Sequence, residues 1–381
     1  MDQHTLLIGL VVVVVILALI FDFLNGFHDA ANAIATIVIT RTLTPGQAVM
    51  LAGIANFMGY LTITLGMGSA ILKTVGKGVV NIGGFASPQE QLIVILAALS
   101  GAALWNIITW WLGLPTSSSH ALIGGLAGST MMAVATAAEG MMVPFKVVAG
   151  GPPPPIIGLM YDKISLFGHT VYLLGVFKIM LFIIIAPLLG MLAASIFTSM
   201  VMWCFRKAKP ARANIWFRNL QLVSASWYSF GHGMNDAQKT MAIIMMALIA
   251  WSPSVYSLDK PVHWVILSCY AAIGLGTMFG GWRIVKTMGT KITKIRAMEG
   301  FCAESAASLV LMGTAHYGIP VSTTHVISGA IMGVGAVEHA AKVRWVTARN
   351  ILWAWILTIP LTAIFTAGVY LVLHHLVNGA G

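Results

Sequence analysis

Phe23-Leu24-Asn25-Gly26-Phe27-His28-Asp29-Ala30-Ala31-Asn32 recurs, altered, as Phe230-Gly231-His232-Gly233-Met234-Asn235-Asp236-Ala237-Gln238-Lys239, at an offset of 207 residues. A second pair of stretches follows in the same order. Pro115-Thr116-Ser117-Ser118-Ser119-His120, with Gly124 and Gly128 beyond it, returns as Pro320-Val321-Ser322-Thr323-Thr324-His325, with Gly329 and Gly333, at an offset of 205. The motifs are separated by 89 residues in the first copy (Gly26 to Pro115) and by 87 in the second (Gly233 to Pro320). Two motifs in one order at nearly equal spacing mark a tandem duplication. Residues 1–205 form the N-terminal repeat, 206–218 a basic linker and 219–381 the C-terminal repeat.

Composition sets the medium in which these repeats fold. The 381 residues are 58% hydrophobic and 8% charged, with mean hydropathy +0.89; a soluble domain carries about a quarter charged residues. Apolar runs recur at 6–21, 92–113 and 171–205, and crossing a bilayer takes about 20 such residues as helix. Hydrocarbon offers no water to the backbone, so helices are the default spanning element. A β-barrel strand would alternate apolar with polar residues, and Val11-Val12-Val13-Val14-Val15 does not. The first run has neither a basic start nor a small-residue cleavage site, which predicts a retained helix rather than a signal peptide. The expected class is an all-α polytopic membrane protein.

Charge placement predicts its orientation. Of 21 Lys and Arg, 13 lie in three short segments between apolar runs, at 206–218, 283–296 and 342–349. Basic residues gather in cytoplasmic loops, so the net charge of +10 orients the chain and no nucleic-acid partner is expected. With all three segments inside, 300–338 must leave and return to one side, as a re-entrant hairpin with its tip near Pro320. The same plan in reverse gives the first repeat a hairpin near Pro115 opening outward. Each repeat is then the inversion of the other, with broken helices and two re-entrant hairpins. Both termini fall on the outer side, with 73–91 and 138–170 (the latter holding Gly150-Gly151-Pro152-Pro153-Pro154-Pro155) as external connections. Cys204, Cys269 and Cys302 have no paired spacing and read as packed small hydrophobes.

The motifs carry a definite chemistry. Ser117, Ser118 and Ser119, like Ser322, Thr323 and Thr324, follow a proline and precede a glycine-punctuated apolar run. Proline, then hydroxyls, then a periodic run is a helix start. Helix N-termini offer unpaired N–H groups and a partial positive charge, a ready site for an oxyanion. The plainer role for such residues is packing and capping inside a membrane; its occurrence at both repeat-related positions favours a shared anion site. Asp29 and Asp236 hold equivalent positions in apolar sequence, where a carboxylate is expensive and marks function by default. Acids near a bound anion require something positive between them, a proton, Na⁺ or another cation. Asn25, Asn32 and Asn235 add neutral donors and acceptors, and Asn32 shares a helical face with Asp29. Lys239 replaces the equivalent of Asn32, either as a fixed ion-pair partner of Asp236 or as a built-in ammonium where a coupling cation would sit. His120 and His325 close the hydroxyl trios, and His28 and His232 flank the acids. Histidine titrates near neutrality, so gating and proton coupling are assigned to His28, His120 and His325 alongside Asp29 and Asp236.

The paired motifs resemble the inorganic phosphate transporter (Pit) family over nearly the whole chain. Its repeated signature, roughly G-A-N-D-V-A-N-A, appears here as Gly26-Phe27-His28-Asp29-Ala30-Ala31-Asn32-Ala33 and Gly233-Met234-Asn235-Asp236-Ala237-Gln238-Lys239-Thr240. The Pro-x-Ser-Ser-Ser-His and Pro-Val-Ser-Thr-Thr-His elements match its hairpin tips. Sodium-coupled members usually carry Asn where His28 stands, and Ala-Asn where Gln238-Lys239 stand. The resemblance is therefore to the bacterial proton-coupled branch. It implies a symporter of inorganic phosphate, or of a metal–phosphate complex, across the plasma membrane, moving H⁺ by expectation and Na⁺ as the alternative. Asn25, Asp29, Asn32, Asn235, Asp236, Lys239 and the two hydroxyl trios would bind substrate. Glu304 resembles a family acid near the second hairpin, which would join the coupling and gating groups, and reads equally as an interfacial helix-start residue. No cofactor and no resident metal are expected. The partners are phosphate, the coupling cation and the bilayer, and a homodimer is one assembly open to this class.

Three rival functions fit the sequence less well. Sulfate transporters share such architecture, but acceptors such as Asp29 and Asp236 can take a hydrogen bond from protonated phosphate that sulfate cannot offer. A serine hydrolase built on Ser119 and His120 fails because adjacent helical residues point about 100° apart and no Gly-x-Ser-x-Gly turn is present. A passive channel does not require an inverted repeat with buried charges.

Overall fold

The computed structural model describes residues 2–138 and 161–378, apart from 67, 81, 86, 167, 168, 291 and 294. The run 150–155, as well as Lys291 and Lys294, thus lies outside the described residues. Asp2 caps the first helix by accepting from the Thr5 amide at 2.9 Å. In chain order the helices are α1 (Gln3–Ile39), α2 (Pro45–Met58), α3 (Tyr60–Thr64), α4 (Ala70–Gly78), α5 (Pro88–Leu112) and α6 (Ser118–Ala138). A two-stranded antiparallel hairpin, β1 (Tyr161–Leu166) and β2 (His169–Leu174), follows. Then come α7 (Gly175–Phe205), α8 (Pro210–Trp251), α9 (His263–Phe279), α10 (Trp282–Thr290), α11 (Ala297–His316), α12 (Thr323–Glu338) and α13 (Trp345–Asn378).

Among the described residues, five helices are long and apolar enough to span a bilayer, or six if α9 and α10, bent by 71° where they meet, count as one span. The segments read as connections are partly structured: α4 occupies 70–78 and the β-hairpin 161–174. The basic segment 206–218 is a short turn followed by the first turns of α8. Cys269 and Cys302 are buried as expected of packed apolar residues, whereas Cys204 is exposed at the end of α7.

Helices α5 and α6, and α11 and α12, each form a hairpin whose turn follows one design. Gly113 and Gly318 both adopt left-handed φ, +66° and +65°. Leu114 donates back to the Thr109 carbonyl, and Ile319 to that of Thr314, both at 2.9 Å. Only glycine reaches this backbone region freely, which is why the helix-ending signals fall at these two positions. The next helix starts are capped alike. The Ser117 hydroxyl accepts from the His120 amide at 3.2 Å, and that of Ser322 from the His325 amide at 3.3 Å.

The halves interlock crosswise. Hairpin helix α6 packs on α13 from the other half, and α12 packs on α7; α1 lies along α9, and α8 along α2. The repeated glycines make these approaches close. Gly124 and Gly128 face the backbone of Ile359 and Ala363 in α13, while Gly329 and Gly333 face Pro187 and Met191 in α7. Gly26 meets the Ile273 carbonyl and Gly233 that of Asn56. With lipid as apolar as the side chains, such small-residue contacts supply most of the helix association.

The basic segments converge on one end of the bundle. Thr40 and Thr42, which flank Arg41, both donate to Gln221 near the start of α8. The Arg344 amide donates to the Ile292 carbonyl at 3.0 Å, and Thr293 to the Lys342 carbonyl at 3.3 Å. At the far end of α8, Lys73 pairs with Asp259 at 2.9 Å. Its hydrogen bond, with the charges of Lys73 and Lys77, holds the Asp259 carboxyl below the usual carboxylate range.

Candidate functional site

Helices α1 and α8 run unbroken through the repeated Asp motifs and bring both acids into the interior, 2% and 0% exposed. Ion pairing offsets part of the cost of burial. Lys239 Nζ donates to Asp236 Oδ1 at 2.6 Å. His28 Nδ1 lies 2.9 Å from Asp29 Oδ1, and its Nε2 is 3.2 Å from Thr109 Oγ1. His232 sits between the two acids, its Nε2 3.2 Å from Asp236 Oδ2 and 3.7 Å from Asp29 Oδ2. These are ion-pair distances without hydrogen-bond alignment. The other ring nitrogen, Nδ1, is 3.2 Å from Asn56 Oδ1.

The hydroxyl trios reach the same place from the two hairpins. Asn32, on α1, donates to Thr324 Oγ1 of the second hairpin at 2.9 Å. Its repeat counterpart Lys239, on α8, donates to Ser119 Oγ of the first hairpin at 2.6 Å. Ser119 and Thr324 are themselves counterparts, so both contacts are crosswise. Lys239 also donates to the Val321 carbonyl at 3.2 Å, so one ammonium touches both hairpin turns. Thr323 Oγ1 donates to Asp29 Oδ2 at 3.4 Å, and Tyr228 to the Thr323 carbonyl at 3.2 Å. Ser118 Oγ, Asn25 Oδ1 and Asn235 Oδ1 are buried with no hydrogen-bond partner among the described residues. The assembly combines two helix N-termini, free hydroxyls, two carboxylates and three cationic or basic groups. It can hold an oxyanion by N–H and hydroxyl donors and a positive charge beside the carboxylates. Asp29, His232 and Asp236 offer ligand atoms within 4.8 Å of one another, the one cluster among the described residues that a metal ion fits.

Two sets of expected residues are not hydrogen-bonded to this cluster. His120 and His325 pack ring to ring, centroids 4.7 Å apart, and His325 stacks on Trp355 at 4.0 Å. The Trp355 indole donates to the Pro115 carbonyl at 2.8 Å, and neither imidazole has a hydrogen-bond partner among the described residues. They sit where the hairpins meet, His120 within electrostatic reach of Lys239 and Asp236 but hydrogen-bonded to neither. Glu304 accepts from Thr36 and Ser224, both at 2.5 Å, and from Gln221 at 3.3 Å. It is fully buried in mid-helix, which removes the helix-start alternative; Arg296 and Glu299 form that box. Sequence reasoning passed over Asp22, buried two turns before Asp29 and bonded to Thr240 at 2.9 Å. The signal was available, since Asp22 is also an acid inside an apolar run. Thr109 and Asn56 carry no such signal.

Fold and site together define a multi-pass α-helical membrane protein with a charged, buried site between two hairpin turns, the class of a solute transporter rather than an enzyme. The phosphate transporter family model matches residues 25–216 and 205–366. The chain belongs to that family. It is 44% identical to a probable low-affinity inorganic phosphate transporter of Rhizobium meliloti, with 96% of each chain aligned. A Bacillus subtilis protein of the same description is 40% identical over 97% of this chain and 98% of that one. One from Mycobacterium tuberculosis is 35% identical over 96% and 78%. A solved structure titled the sodium-dependent phosphate transporter shares the fold, with TM-score 0.74 and 24% identity, covering 96% of this chain and 99% of that one.

Proposed function

We propose that this protein is a proton-coupled symporter that carries inorganic phosphate across the plasma membrane by alternating access. The observation that carries the reading is the crosswise site. Ser119 and Thr324, one from each hairpin, are held by Lys239 and Asn32 of the opposite halves. A tetrahedral anion between them is bound by donors from both repeats, and moving one hairpin relative to the other opens one side at a time. Each hairpin turn is tied by a threonine of a short helix, Gly113 by Thr287 at 2.9 Å and Gly318 by Thr74 at 2.8 Å. Breaking one tie while keeping the other is the step that such alternation requires. The two inverted repeats meet along these contacts, 1–205 and 219–381 joined by 206–218, with both termini outside.

Proton coupling rests on the composition of the site. Basic groups of the chain, His28, His232 and Lys239, stand beside both acids, where a sodium-coupled site needs free ion positions. A second reading, transport of a metal–phosphate complex, is favoured by the Asp29, His232 and Asp236 cluster, whose ligand atoms suit a divalent cargo ion. Reconstitution into proteoliposomes tests both. Phosphate uptake should follow an inward proton gradient, collapse with a protonophore and ignore a sodium gradient; sulfate should not compete. Uptake driven by sodium alone would overturn proton coupling, and a strict requirement for Mg²⁺ would favour the complex as cargo.

A further inference from the structure

We infer that Lys239 is a resident cation, an ammonium fixed to the chain in a site that otherwise takes a dissociable monovalent cation. The inference rests on the reading of this cluster as the phosphate site and goes beyond it to the ion requirement. Nζ is held by a carboxylate (Asp236 Oδ1, 2.6 Å), a hydroxyl (Ser119 Oγ, 2.6 Å) and a backbone carbonyl (Val321, 3.2 Å). Carboxylate, hydroxyl and carbonyl oxygens are the ligands of hard cations, which sit about 2.3–2.6 Å from them in the case of calcium. All three ligands belong to different elements: α8, the start of α6 and the turn before α12. An ion at this point therefore fixes the closed arrangement of the two hairpins as well as the charge.

The repeat shows what the substitution changes. Asn32 makes the equivalent reach to the opposite hairpin with a neutral amide, 2.9 Å from Thr324 Oγ1. Of two equivalent positions, one thus carries a neutral donor and the other a charged one. The charged one sits on Asp236, whereas Asp29 has no lysine beside it but His28 at 2.9 Å, with His232 shared between the acids at 3.2 Å from Asp236 and 3.7 Å from Asp29. An anion bound between Ser119 and Thr324 would meet the negative charge of Asp236 unless a cation stood between them. Lys239 stands there. A mobile ion in the same place would enter and leave in each cycle and contribute its gradient; a tethered one cannot. The consequence is transport indifferent to Na⁺, with the oxygen cage retained under the lysine.

The test is Lys239→Asn, which restores the residue type of the other repeat, and Lys239→Ala, each reconstituted and assayed for phosphate uptake under an imposed proton gradient. Choline, K⁺, Li⁺ or Na⁺ is the sole monovalent cation. The unmodified protein should be equally active in all four. The variants should be nearly inactive in choline and regain at least about tenfold in Na⁺ or Li⁺, an effect in the range of ordinary site-to-site coupling. A lysine that merely ties helices together predicts equal loss in every cation, and that result would overturn the inference. Should the variants fail to insert, the unmodified protein still decides. A Na⁺-induced rise in its melting temperature over choline at equal ionic strength would mean that a cation site remains open beside Lys239, and the idea falls. No phosphate uptake by the unmodified protein under any gradient would instead sink the underlying transport reading, an outcome distinct from both.

Discussion

At the scale of single residues, the site is an exercise in compensating buried charge. Asp29 and Asp236 survive in the interior because His28, His232 and Lys239 surround them. Removing one member of a buried pair costs about 3–5 kcal/mol by leaving its partner uncompensated. Asp236→Asn should therefore leave Lys239 stranded, abolish phosphate uptake and lower the melting temperature in detergent. Asp29→Asn should abolish uptake with a smaller thermal loss, since the Lys239 ammonium is paired with Asp236 and not with it; parental uptake by either variant would make that acid structural. The hydroxyls are separable from the charges. Ser118→Ala removes a donor with no protein partner, and Thr323→Val one that reaches only to Asp29 at 3.4 Å. A hydrogen bond to a charged group is worth about 1.5–3 kcal/mol, so each change should weaken phosphate binding about tenfold or more while the fold melts as before. Calorimetric titration with phosphate checks this, and unchanged affinity in both would assign the hydroxyls to packing. These residues were legible because charge and clustered hydroxyls in apolar sequence are expensive and therefore meaningful. Asn56 and Thr109 were not, because only long-range packing places them on His232 and His28. The partners of Glu304 were hidden for the same reason.

At the scale of elements, the hairpins are set by backbone chemistry that sequence displays directly, with glycine at the left-handed turn and then a hydroxyl cap. Both starts, Ser118 and Thr323, fall where the Pro-Ser/Thr signature puts them. The glycine spacing beyond each start was readable as a pattern, but its partner was not. Nothing in α6 says that Gly128 will meet Ala363 of the last helix rather than a neighbour in its own half. The connections were the least legible, and α4 and the β-hairpin show why. The former is a short amphipathic helix, and the latter pairs strands within a segment whose ends the repeat does not fix. Close approach gives a sharp contrast in mutational cost. A Cβ at Gly128 would press into the Ala363 backbone and one at Gly333 into that of Met191, whereas at Gly313 it meets open space. Overpacking a tight contact costs about 1–3 kcal/mol, while Gly→Ala on an open helical face gains up to about 1 kcal/mol. Gly128→Ala and Gly333→Ala should each lower the melting temperature in detergent, and Gly313→Ala should hold or raise it. Equal effects at all three positions would contradict the crosswise packing.

At the scale of the whole molecule, inversion of the repeats is a claim about sides, and two independent lines bear on it. One is charge: 13 of the 21 Lys and Arg lie in three segments that the positive-inside rule assigns to the cytoplasm. The other is contact: two of these segments, 283–296 and 342–349, read as separate loops, touch one another through Arg344 on Ile292 and Thr293 on Lys342. The Arg41 turn is bonded to Gln221, just past the third segment, 206–218. The smaller basic group of Lys73, Lys77 and Lys260 lies at the other end, and there Asp259 offsets it by pairing with Lys73 and Lys77. Charge that is neutralised locally has little power to hold a loop in the cytoplasm, whereas the 206–218 segment contains no acid at all. The expectation is that Lys207 faces the cytoplasm and Lys260 the outside. Single cysteines at these exposed positions, in a Cys204→Ser background that removes the native exposed thiol, would report it. A membrane-impermeant maleimide added to intact cells should label Lys260→Cys and leave Lys207→Cys unlabelled until the membrane is opened. Labelling of both from one side would be incompatible with α8 crossing the bilayer between them, and the reverse pattern would turn the molecule over. In that case the hairpin opening near Pro115 would face inward, so phosphate entering from outside would meet the Thr323 and Thr324 hairpin first.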